Sequence, residues 1–211
     1  MTPSLNGNGE GRGRGQGQGS WRGFWRRILI ESALVTETRV MDAVAFERTL
    51  ERLAGEVAEK TAGFAGRVAL VGVRTRGVPL SQRLARYIEA SSGGRPELGV
   101  LDITLYRDDL TAIGEQPIVR RTELPFAIDD AWIVLVDDVL YTGRTVRAAI
   151  TALIDFGRPK TTQLLVLVDR GWRELPIHAD YVGTTLETTR EQTVHVHVAE
   201  EDGRDEVVLS G

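Results

Sequence analysis

The chain has no cysteine in its 211 residues, which excludes disulfides and thiolate metal sites and suits a cytoplasmic protein. Histidine is nearly as scarce, with three. His195 and His197 share one face of a strand pattern whose other face is Val194, Val196 and Val198, so they read as surface residues and not as metal ligands. No apolar run approaches the ~18 residues of a membrane helix, and the Gly/Arg-rich start lacks the apolar stretch of a signal peptide. There is no Gly-x-x-x-x-Gly-Lys-Ser/Thr loop, which argues against an ordinary nucleoside triphosphatase. Excess positive charge is missing too: the net charge of −4 gives no general support for nucleic-acid binding.

What is present suffices for one generous domain with a tail, since 42% of the residues are hydrophobic. Residues 1–27 read as a disordered Gly/Arg-rich tail and 28–211 as the folded domain. Within the tail, Trp21, Phe24 and Trp25 alternate with Arg22, Arg26 and Arg27. That mixture either stacks on and neutralises RNA or rests on the protein's own surface. Asp42 is an N-cap for a helix to about Lys60, with Phe46, Leu50, Leu53, Ala54 and Val57 as its buried stripe.

The most informative stretch is Ile133 to Thr145. Ile133 to Val136 is short and uninterrupted, as in a central strand of a parallel sheet. The apolar run stops at Asp137-Asp138; Thr142-Gly143-Arg144-Thr145 follows, and then Val146, Ala149, Ile150 and Leu153 recur at helical spacing. A helix's first turn has unpaired N–H groups and a positive dipole end, suited to a phosphate. Gly143 admits close approach, and the Thr142 and Thr145 hydroxyls add donors. Ionised Asp137 and Asp138 would repel that phosphate, so they belong to one side, where sugar hydroxyls or a metal can use them. A carboxylate pair beside a phosphate nest describes a site for a ribose 5-phosphate; the alternative is an acidic loop after a buried strand with an ordinary helix cap. A receiver domain also pairs aspartates after an apolar strand, but without the Thr-Gly-x-Thr nest.

Two further strands lead toward the same place. Val68–Val73 precedes Arg74-Thr-Arg-Gly77, either a second anion site or an ordinary βα turn, and a helix with Leu80, Leu84, Tyr87 and Ile88 on its apolar side. Thr162–Val168 ends in Asp169-Arg170-Gly171. Gly99–Leu105 alternates enough for a strand near the sheet edge. The polar, irregular segment Tyr106–Asp130 is long enough to be a lid.

Val134-Leu-Val-Asp-Asp-Val-Leu-Tyr-Thr-Gly-Arg-Thr145 resembles the phosphoribosyl-pyrophosphate signature of type I phosphoribosyltransferases. With Val73–Val78, Leu101–Leu110 and Val168–Ile177, it is similar to the pyrimidine operon attenuator / uracil phosphoribosyltransferase family. The resemblance implies an α/β type I phosphoribosyltransferase fold: a mostly parallel central sheet flanked by helices, a small hood and a flexible lid loop. It implies synthesis of UMP and pyrophosphate from uracil and phosphoribosyl pyrophosphate (PRPP). Asp137, Asp138 and Arg107 are then catalytic. Substrate is bound by Thr75, Arg76, Arg107 and the run Asp137, Asp138, Val139, Leu140, Tyr141, Thr142, Gly143, Arg144 and Thr145, with Arg170 and Leu186 along the base. Mg²⁺ would be held mainly by substrate, with no dedicated protein ligands. UMP or UTP, pyrimidine leader mRNA and a second copy of the chain in a homodimer or larger homo-oligomer are the other partners implied; a membrane is not.

The family's second activity is uridine-nucleotide-dependent binding of that leader RNA. Here the chain departs from the family pattern, with Trp172 for a His, His178 for an Arg, Thr184 for a Lys and Glu187 for a Pro, and with Glu51 and Gly55 on the early helix. Each lost cation weakens phosphate contact and each added carboxylate opposes it. Two readings follow: a working enzyme with a weakened RNA role, or a non-catalytic, nucleotide-sensing RNA-binding attenuator. The intact Asp137-Asp138, Thr142–Thr145, Arg74–Gly77 and Arg107 favour the first.

Overall fold

The computed structural model describes residues 37–108 and 120–211. The expected tail 1–27, Asp109 and the middle of the expected lid lie outside them. Thr36–Gly211 forms one compact unit. Among its described residues no helix is long and apolar enough to cross a membrane.

Five parallel strands form the central sheet: β2 (Val68–Val73), β3 (Glu97–Leu101), β4 (Trp132–Leu140), β5 (Thr161–Asp169) and β6 (Tyr181–Thr185), in the order β3-β2-β4-β5-β6. Both faces are covered, which is why β4 reads as an unbroken apolar run. Val134 and Val136 face the cluster holding Phe46, Leu50, Leu53, Leu80 and Leu84 from α1 (Ala43–Thr61) and α2 (Gly77–Ser92). Ile133 and Leu135 face Val146, Ala149 and Leu153 of α3 (Arg144–Ile154). Asp42 caps α1, accepting the Ala45 N–H at 2.9 Å. The five residues expected to form its stripe are all buried.

A smaller antiparallel sheet, β1-β8-β7, joins β1 (Glu37–Met41) to β7 (Thr193–His197) and β8 (Glu206–Ser210). The last two are linked by the short acidic helix α4 (Ala199–Asp202).

Two expected boundaries move. β4 continues through Asp137 and Asp138 to Leu140, because its ladder to β5 continues to Val139↔Val168 and Leu140↔Asp169. The two carboxylates therefore sit on the strand's end, not in the turn. β3 stops at Leu101 rather than Leu105: the Asp102 carboxylate accepts from Thr104 N (2.8 Å) and Thr104 Oγ1 (2.5 Å), folding the chain into a 3-10 turn at Thr104–Tyr106. As expected, β3 is an edge strand, and the chain returning after residue 119 covers it. Val100 and Glu123 exchange two backbone hydrogen bonds of 2.8 Å.

Candidate active site

The carboxyl ends of β2, β4 and β5 converge at one rim of the sheet, where α/β proteins bind ligands. After β4 the chain turns through Gly143 at φ +91°, a left-handed conformation natural only to glycine. Leu175 and Ile177 pack at 3.4 Å from where a Cβ would stand. Gly143 offers no capping side chain, the Arg144 N–H makes only a long bond to Thr142 Oγ1 (3.4 Å), and this first turn lines a cavity of about 320 Å³. That cavity is lined by Arg107, Asp108 and the run from Val139 to Val146. The structure thus gathers Val139, Leu140, Tyr141, Thr142, Gly143, Arg144 and Thr145 with Arg107 around one space. Arg144 is held by Asp108 (2.7 Å) and Glu174 (2.8 Å).

The second anion loop follows β2, and glycine brings it to β4. A Cβ on Gly77 would lie 2.2 Å from the Val136 carbonyl oxygen, and one on Gly72 would lie 2.5 Å from the Gly77 oxygen. Backbone therefore lies directly on backbone, and Thr75 and Arg76 are carried to the end of β4. The Arg76 guanidinium interacts with the charge of Asp138 and forms a fork to Asp202 of α4, through Nε at 3.0 Å and Nη2 at 2.9 Å. On the far side, Arg74 Nη2 donates to the Arg121 carbonyl (3.2 Å), tying this loop to the segment along β3.

Asp137 is buried, and its carboxyl is pushed well above the usual carboxylate range, first by burial and then by the charge of Asp138. Asp138 is also pushed up by burial, but it accepts the Val139 N–H at 2.8 Å and draws on Arg76. With those two supports Asp138 ionises first, and Asp137 holds its proton longer.

Two of the residues expected along the base have partners within the protein. Arg170 is buried, and its Nη2 donates to the carbonyls of Thr189 (3.1 Å) and Gln192 (2.7 Å). Its guanidinium lies over the Tyr141 ring, 4.0 Å from the centroid, so it props Tyr141. Its Nε–H has no partner among the described residues. The Leu186 N–H donates to the Asp169 carbonyl at 2.8 Å, one residue beyond the end of β6.

Sequence reasoning missed Arg173. Its Nη1 donates to the carbonyls of Tyr141 (2.7 Å), Gly171 (2.9 Å) and Leu140 (3.3 Å), its Nε donates to Ile177, and it pairs with Asp169. One guanidinium thus fixes the β4 turn to the loop after β5. It lies inside the Val168–Ile177 motif, but nothing local marks it as different from Arg170.

Parallel strands ending in a glycine turn, a carboxylate pair and an arginine-bearing loop are the arrangement of a phosphoribosyltransferase. Residues 38–201 match the phosphoribosyl transferase domain family. The fold is also that of the hypoxanthine phosphoribosyltransferase of Trypanosoma cruzi (TM-score 0.65, 17% identity, 85% of this chain and 94% of that one). The Staphylococcus aureus hypoxanthine phosphoribosyltransferase is similar as well (TM-score 0.60, 16% identity, 81% and 90%). In sequence, the chain is 51% identical over 173 residues to the bifunctional protein PyrR of Pelotomaculum thermopropionicum, covering 82% of this chain and 95% of the relative. It is 55% identical to PyrR of Thermus thermophilus over the same fractions. The chain belongs to the PyrR family, the pyrimidine operon attenuator / uracil phosphoribosyltransferases.

Proposed function

We propose that the protein transfers the phosphoribosyl group of PRPP to uracil, releasing pyrophosphate and forming UMP, and that it also binds pyrimidine leader RNA under the control of UMP or UTP. The observation that carries the enzymatic reading is the cavity between Arg107 and the Val139–Val146 turn, whose lining begins one residue after Asp138, the carboxylate that acts on Arg76.

In this reading the 5-phosphate sits on the N–H groups of Gly143 to Thr145, where the uncapped helix end supplies donors and dipole. Asp138 accepts from the ribose hydroxyls, and its negative charge faces the ring carbon as oxocarbenium character builds there. Asp137, whose carboxyl is pushed up by burial and by the charge of Asp138, is the neighbour of that carboxylate on β4. Arg76 and Arg107 take up charge on the departing pyrophosphate. Uracil lies toward Tyr141, whose ring is held from behind by the buried Arg170 guanidinium.

Mg²⁺ fits this arrangement. Among the described residues no three acidic or histidine groups converge as a metal cage. An ion beside Asp138 would therefore draw most ligands from pyrophosphate, ribose hydroxyls and water, as Mg²⁺ commonly does. When bound, it neutralises the leaving group.

The test is pyrophosphate release with each free base in turn. Uracil should exceed hypoxanthine by about a hundredfold or more, since a purine does not present the same hydrogen-bonding edge, while thymine, which differs from uracil by one methyl group, should fall by about tenfold or more on shape alone. Equal rates with hypoxanthine would overturn the uracil assignment. For the RNA role, a gel shift on a pyrimidine leader with and without residues 1–27 should show UMP-dependent binding; binding unaffected by UMP or UTP would remove the regulatory half.

A further inference from the structure

The acidic turn at 198–205 is docked on α2 by two arginines. Arg83 is buried and binds Glu200 through Nε (2.9 Å) and Nη2 (2.6 Å), and Asp205 through Nη1 (2.9 Å) and Nη2 (3.0 Å). Seven residues earlier, two helical turns along the same face, Arg76 forks onto Asp202. Asp202 is itself fixed: its Oδ2 also accepts the Val198 N–H at 2.9 Å.

A guanidinium has five N–H groups on a rigid plane. Asp202 occupies the edge formed by Nε and Nη2. The edge formed by Nη1 and the second Nη2 hydrogen points away from Asp202 and keeps the geometry that suits a doubly bonded phosphate. Asp138 acts electrostatically on the same group. We propose that Asp202 is a positioning residue for the transfer reaction, holding Arg76 by one edge so that the other is presented, already oriented, to the pyrophosphate of PRPP. The inference rests on the assignment of Arg76 to the pyrophosphate. It makes the small C-terminal sheet part of the catalytic apparatus: the carboxylate that aims Arg76 lies 126 residues further along the chain. Arg83 holds the turn independently, so the positioning role and the docking role can be separated.

The test compares Asp202→Asn, Asp202→Glu and Glu200→Gln in the full chain, with thermal melting to check folding. Inorganic pyrophosphate is titrated by calorimetry in the presence of Mg²⁺, and UMP formation is measured against PRPP and uracil separately. In Asp202→Asn, pyrophosphate affinity should fall and the KM for PRPP rise about tenfold, as expected when one charged hydrogen-bonding partner is neutralised. The KM for uracil should stay within about twofold. Asp202→Glu retains the charge and should stay within about threefold of wild type. Glu200→Gln loosens only the Arg83 clamp and should leave pyrophosphate binding within about twofold. Unchanged pyrophosphate binding in Asp202→Asn would overturn the proposal. So would tighter binding, which would make Asp202 a competitor of the anion, or an equal loss in Glu200→Gln, which would make the effect structural. Pyrophosphate binding reads the role of Asp202 even if the acceptor base is not uracil, so the two conclusions fail separately.

Discussion

Asp137 is a carboxyl group placed where ionisation is costly, and that cost has a sign. Its folded-state pKa is raised by burial, so the native state binds its proton more tightly than the unfolded chain, and stability falls as pH rises through the raised value. Asp137→Asn should therefore melt higher than wild type above neutral pH, with the gain vanishing in acid, while UMP formation drops; a melting point lower at pH 8 would refute this. Asp202 runs the other way: its hydrogen bonds to Arg76 hold its carboxyl down at about 2. Its stabilising contribution is complete above the ordinary carboxylate range and is lost as pH falls toward that value. The Asp202→Asn variant should show a shallower acid-unfolding curve between about pH 4 and 2. Asp138→Asn should keep the wild-type fold and lose about a hundredfold or more in turnover, since it removes the charge facing the reacting carbon. Near-normal turnover would remove Asp138 from the site.

The elements around the site depend on glycine and on one arginine. Gly77→Ala would drive a methyl group into the Val136 carbonyl. Because backbone meets backbone there, no side chain can yield, and the loss should be at least about 1–3 kcal/mol. Gly143→Ala adds a left-handed strain of about 1–2 kcal/mol and crowds Leu175 and Ile177. Arg173→Ala strips donors from four carbonyls and should cost roughly 3 kcal/mol in a urea melt while raising the KM for uracil. The β4-turn-α3 unit was legible in the sequence because its signals are local: an apolar run, paired carboxylates, a glycine and a helical stripe lie in consecutive residues. The extension of β4 through Asp137 and Asp138 was not, since aspartate disfavours strands and only the ladder to β5 overrides it. Arg170 was assigned to the base because its position in the motif suggested it. Its carbonyl partners at Thr189 and Gln192 belong to a later turn that no spacing connects to it.

At the scale of the whole molecule, the parallel sheet and its flanking helices followed from alternating strand and helix patterns. The docking of the small sheet did not. Its only trace in the sequence is the pairing of Arg76 and Arg83, one helical face apart in spacing, with an acidic turn more than a hundred residues away. Exposed Leu105, Ile154 and Phe156 flank the bond from the Tyr106 hydroxyl to Asp155 (2.5 Å). These three side chains are apolar and exposed.

Among the described residues β1 pairs with β8, with Glu37 opposite Ser210. Such a distant closure forms late, because the chain loses loop entropy before the pairing rewards it. A refolding molecule would regain its helical signal while Asp202 is still undocked and Arg76 still unaimed. Recovery of transferase turnover should then lag behind recovery of circular dichroism, so that a half-assembled copy stays chemically silent until its two ends have met.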